Sequence, residues 1–81
     1  MISEINESIE VGAIFGEGVV SPVWFLWNGR RYKIERVTYR WKEKAGESLL
    51  HFFSVFDGKD TFELIYDSKL LRWTLGRVDV E

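Results

Sequence analysis

"WNGRRYKIERVTYRWKEK", residues 27–44, decides how this chain folds. Asn28-Gly29 between apolar runs is the strongest short hairpin signal, a two-residue type I′ turn, because both central residues need positive φ and Asn and Gly tolerate it. The turn pairs Trp27 with Arg30, Phe25 with Tyr32 and Val23 with Ile34 on one face. On the other it sets Leu26 across from Arg31 and Trp24 across from Lys33. Beyond the turn the apolar positions change phase, from the even Tyr32 and Ile34 to the odd Val37, Tyr39 and Trp41. Side chains alternate with period two, so one regular strand cannot hold both sets on one face. A β-bulge near Glu35–Arg36 repairs the phase and bends the strand sharply.

Outward from this stretch, turn signals recur at Ala45-Gly46-Glu47, Asp57-Gly58-Lys59-Asp60 and Asp67-Ser68-Lys69. The runs between them are rich in Val, Ile, Tyr, Phe, Trp and Thr, the mark of an antiparallel meander. Strands are expected at 8–14, 22–27, 30–44, 48–57, 61–67 and 71–80. A tight Ala45-Gly46 loop would pair Trp41 with Leu50 and Tyr39 with Phe52, and a loop at 58–60 would bring Phe56 opposite Phe62. A second phase shift, from Leu71, Trp73 and Leu75 to Val78 and Val80, surrounds Gly76, a residue that often marks a bulge. The expected core is Val23, Phe25, Tyr32, Ile34, Val37, Tyr39, Trp41, Leu50, Phe52, Phe56, Phe62, Leu64, Tyr66, Leu71, Trp73 and Leu75.

The expected fold is all-β, a single antiparallel meander of about five to six strands, with the sheet strongly bent or partly closed into a small barrel. Residues 1–81 read as a single domain with its meander core at 22–80. Residues 1–15 form an N-terminal segment that docks as an edge strand or, through Ile2, Ile5 and Ile9, forms a short helix.

Composition bounds the function. The 81 residues include no cysteine, so disulfides and thiolate metal ligation are excluded. There is no basic, then apolar leader and no apolar run near the roughly 20 residues of a membrane span, which favours the cytoplasm and no membrane partner. The net charge of −2 hides a split: residues 1–20 carry four Glu and no base, while 28–44 hold seven of the 11 Lys and Arg.

Those bases share an expected non-core face, with Arg31, Lys33, Arg36, Arg40 and Lys42 down one strand. Trp24 and Leu26 stand on one flank, and Leu49, His51, Phe53 and Val55 on the other, with Ile65 beyond. Three readings of this face stay open. It is a solvated surface under the N-terminal segment. It binds single-stranded DNA or RNA, cations meeting phosphate while Trp24 or Phe53 stacks on bases. Or it is a protein interface, homodimeric or with a larger partner, since Trp and Arg anchor such contacts.

Catalytic signals are sparse. His51 is the single histidine, no nucleophile-elbow pattern occurs, and "GAIFGEG" (12–18) has neither phosphate-loop nor dinucleotide spacing. "DGKD" is too short for a calcium loop, and Glu63 with Asp67 lacks a third ligand. No enzyme, cofactor or metal site is expected.

"FLWNGRRYKIERV…W", "FFSVFDGKDTFELIYD" and "RWTLGRV" together resemble a family of uncharacterised small bacterial domains with the pattern WxGRRYxVxxVxxxW…GxxFxLxYD…RWxL, found free-standing and appended to Y-family-polymerase-like proteins of mutagenic DNA repair. The resemblance covers roughly residues 22–80. It implies a nucleic-acid or replication-partner role and no catalytic one.

Overall fold

In the computed structural model, which describes residues 1–80, seven strands run β1 (Ile2–Gly16), β2 (Val19–Trp27), β3 (Arg30–Lys33), β4 (Arg36–Ala45), β5 (Ser48–Phe56), β6 (Thr61–Asp67) and β7 (Arg72–Asp79). They form one antiparallel sheet in the order β3-β2-β1-β7-β6-β5-β4, with no helix among the described residues. The extra strand arises because the expected strand 30–44 divides in two.

The division sits where the phase change predicts it. Asn28 and Gly29 take φ of 53° and 73°, and the β2–β3 register follows the expected hairpin. At the bend the Ile34 N–H donates to Val23 O (3.0 Å) and the Glu35 N–H donates to Phe56 O (2.8 Å). Two consecutive residues therefore hand the chain from β2 to β5, and the edge strands β3 and β4 are one bent stretch of chain. Tyr32, Ile34 and Val37 all pack against the core, as the bulge requires.

A second irregularity, between Val37 and Tyr39, was not anticipated. Thr38 Oγ1 donates to Ser54 O at 3.0 Å there. The added residue turns Tyr39 and Trp41 to the outer face and brings Arg40 and Lys42 to the inner one, by the same period-two logic. Tyr39 and Trp41 are thus not core residues.

The loop after β5 supplies a further correction. The Asp57 carboxylate accepts the N–H groups of Lys59 (2.9 Å) and Asp60 (2.7 Å), a side-chain-closed turn. Asp57 thereby belongs to the connection, and the register is Val55↔Phe62 and Phe56↔Thr61. One residue of slip exchanges the faces of β5. Phe53 and Val55, expected outside, are buried, whereas Leu50, Phe52 and Phe56 lie half-buried on the outer face. Trp41 sits opposite Phe52 rather than Leu50, because Ala45 and Ser48 close the turn. Val23 is partly exposed, and Leu71 is 75% exposed in a turn with φ of 53°.

The core comprises Phe25, Phe53, Val55, Phe62, Leu64, Tyr66, Trp73, Leu75 and Val78. Phe25 stacks on Tyr32 (4.9 Å, 5°) and meets the edge of Phe62 (5.0 Å). Around Gly76 the register shifts so that Trp73, Leu75 and Val78 all point inward, in line with the expected shift.

β1 is neither helix nor edge strand. It lies inside the sheet, its first half paired with β7 and its second with β2, and Ile5, Ile9, Val11 and Ala13 pack on the core. The turn into β2 is Glu17-Gly18, with φ of 52° and 76°, a type I′ geometry with Glu in place of the usual Asn. The ends of the described chain meet: Val80 N–H donates to Met1 O (2.9 Å), and the Met1 ammonium donates to Val80 O (3.1 Å) and Asp79 Oδ1 (3.2 Å).

Candidate nucleic-acid interface

The expected single basic face is divided between the two sides of the sheet. On the outer side, β3 carries Arg31 and Lys33 opposite Leu26 and Trp24. The Trp24 ring lies directly on Gly12 of β1, so close that a Cβ there would overlap it. The Arg31 guanidinium sits 4.4 Å from the ring centroid, a cation–π contact. A ring lying on backbone and capped by a guanidinium is a poor platform for a base. Beyond the bend, Arg36 lies 4.6 Å over Phe56 and 3.6 Å from the Glu35 carboxylate.

Farther along β4 the outer side becomes aromatic. Tyr39 and Trp41 are 5.5 Å apart at 36°, and Trp41 stacks on Phe52 at 5.0 Å and 14°. The Trp41 Nε1–H donates to Glu43 Oε2 (3.1 Å), which fixes the indole's orientation. Tyr39, at the end of this ladder, is 66% exposed. The outer side of the bent strand thus reads Arg31, Lys33, Arg36, Tyr39, Trp41. Sequence reasoning missed the aromatic half, and the signal for it was Asp57. Counting that residue as a turn-former places Phe53 and Val55 on the face of Phe62 and Leu64. Arg40, opposite Phe53, then comes inward and its neighbours Tyr39 and Trp41 go outward.

Arg40, Lys42 and Phe53 are the inner group. They line a cleft of about 240 Å³ with His51, Gly18, Val19 and Val20, and the intervening Trp41 and Phe52 also border it. Phe53 is 3% exposed and packs 5.7 Å from Trp73, so it offers no ring to a base. Arg40 lies 5.5 Å over Phe53 and donates to Val20 O (2.6 Å) and Ser21 Oγ (3.5 Å), tying β4 to the start of β2. Burial, and secondarily the Lys42 ammonium, hold the His51 imidazole below its usual pKa. His51 lies 6.0 Å from the Tyr66 ring.

Of the expected residues, then, Arg31, Lys33 and Arg36 share a strand line with free aromatic surface, Trp24 is covered, and Arg40, Lys42 and Phe53 belong to a separate cleft. Among the described residues no group of three or more potential ligands is placed to hold a metal ion, and no helix is long and apolar enough to cross a membrane. No known protein family, curated protein or solved structure matches this chain.

Proposed function

We propose that this chain is a non-catalytic, single-stranded nucleic-acid-binding module, with its binding line along the outer side of the bent strand. The observation that carries the reading is the Tyr39–Trp41–Phe52 ladder, stacked and open at Tyr39, continuing a row of three cations. Arg31, Lys33 and Arg36 meet phosphates, and Tyr39 with Trp41 stacks on bases, a division of labour common to sequence-tolerant single-strand binders. The curvature supports a sheet that works as a partly closed small barrel, which would hold this line rigid. A cytoplasmic location and a role beside a bacterial polymerase, as the family resemblance implies, fit the same reading. The runner-up, a protein-interaction or self-associating module, is supported by exposed Ile14, Phe15 and Val19 at the β1–β2 tip.

Intrinsic fluorescence, with four Trp as reporters, titrated with oligo(dT) at low salt tests the proposal. Affinity should fall with salt by about 0.7 log unit per log unit of salt for each phosphate contacted. The double change Arg31→Glu and Lys33→Glu should flatten that slope by more than one contact's worth. Tyr39→Ala should weaken binding by about 1–3 kcal/mol with the slope intact. Absence of binding to both DNA and RNA at low ionic strength would retire the proposal.

A further inference from the structure

β4 pairs with β5, and among the described residues with no other strand. Ala45 and Ser48 close the two-residue Gly46-Glu47 turn. In such a hairpin the closing pair exchanges both backbone hydrogen bonds, as does every second pair behind it. Ala45, Glu43, Trp41 and Tyr39 therefore direct their N–H and C=O groups to β5. Lys44, Lys42 and Arg40 direct theirs to the open edge, and each of these three edge residues also carries a cation.

The groups facing that edge favour one class of partner. The cleft beside it, between β4 and the start of β2, has no carboxylate in its lining. Among the described residues neither Lys42 nor Lys44 has an ion-pair partner, and the acceptors of Arg40 are a neutral carbonyl and a hydroxyl. β2 does not close the gap itself, because Pro22, two residues past Val20, has no N–H to give to a ladder. A nucleic acid would match the charge but has no alternating row of amide donors and carbonyl acceptors. An extended polypeptide has both.

We propose that the open edge of β4 receives an acidic extended segment of another protein, added to the sheet as a further strand by β-augmentation. Its carboxylates would fall at every second residue, opposite Arg40, Lys42 and Lys44. The residues between them would be apolar and lie on the Tyr39 and Trp41 side. On binding, the Arg40 guanidinium exchanges the Val20 carbonyl for a carboxylate, a stronger charge-assisted acceptor. This proposal does not rest on the nucleic-acid reading, although both use the Tyr39 and Trp41 side of the strand.

The test is fluorescence anisotropy with a fluorescein-labelled nonapeptide of alternating valine and glutamate. Its controls are the lysine–valine counterpart, two N-methylated forms of the acidic peptide that block one backbone edge or the other, and a dT nonamer. The acidic peptide should bind. One N-methylated form should fail and the other should not, and Lys42→Glu should weaken binding about tenfold or more. Amide exchange at Arg40, Lys42 and Lys44 should slow in the complex. Lys44→Glu serves as a second variant should Lys42→Glu alter the circular dichroism spectrum. The proposal is overturned if the acidic peptide does not bind, if both N-methylated forms bind as well as the parent, or if the lysine peptide binds equally. Protection of these three amides by the dT nonamer alone would reassign the edge to nucleic acid. Loss of oligonucleotide binding with peptide binding kept would sink the earlier reading and leave this one standing.

Discussion

Tyr39 and Phe53 carry rings of similar size to opposite surroundings, one 66% exposed and the other 3%. The energetic consequence is asymmetric. Phe53→Ala removes a ring from a core that can relax only in part and should cost about 3–5 kcal/mol. Tyr39→Ala gives up chiefly its contact with Trp41 and should cost about 0.5–1.5 kcal/mol. Urea titration of the two variants measures both, and a larger loss for Tyr39→Ala than for Phe53→Ala would refute the β4–β5 register. The prediction for Trp41 follows the same line: standing on the outer face against Phe52, it contributes to a surface stack and not to the core.

At the scale of strands and turns, two glycines make room for neighbours. Gly12 lies beneath the Trp24 indole, and a methyl group there meets the ring itself. Gly76 lies beneath Glu63 and Ile65, where a Cβ would meet Oε2 at 2.6 Å and Cδ1 at 3.0 Å, both ends of flexible chains. Gly12→Ala should therefore displace Trp24, change the tryptophan emission and cost about 1–3 kcal/mol, with Gly76→Ala the milder of the two. Thermal unfolding followed by fluorescence compares them, and an unchanged emission spectrum for Gly12→Ala would count against the packing of Trp24 on Gly12. These elements also show what the sequence made legible. Asn28-Gly29 specifies its own turn, and the phase changes at Ile34–Val37 and at Gly76 are visible because apolar residues stand on both sides of each shift. The shift at Thr38 was hidden, because the residues after it, Tyr39 and Trp41, are aromatic on an exposed face and mimic a core pattern. The β5 register hung on whether Asp57 ends a strand or begins a turn, which its side-chain hydrogen bonds decide and its identity only suggests. The basic half of the outer line was readable from composition. Its aromatic half required the correct face.

At the scale of the whole molecule, acids and bases separate in part, with the four Glu of the first twenty residues in β1 and its turn and most of the bases on β3 and β4. The net charge of −2 keeps long-range attraction for a polyanion modest, so any such binding should be sensitive to salt. The pairing of Met1 with Val80 bears on how the chain finds its fold. β1 and β7 are neighbours in space and farthest apart in sequence, so their ladder closes late and at high loop entropy. Bridging residue 80 to Met1 by a short turn, and opening the chain between Ile34 and Glu35, where the edge strands β3 and β4 join and no ladder is cut, gives a circular permutant in which that ladder becomes an ordinary hairpin. Mean sequence separation of contacts falls, so the permutant should keep the native circular dichroism spectrum and refold faster in stopped-flow fluorescence. A permutant that folds no faster would show that the rate is set elsewhere, within one of the hairpins that both chains share. Should it fold faster, the order of the strands in sequence is a matter of kinetics, and the sheet itself is indifferent to where the chain begins.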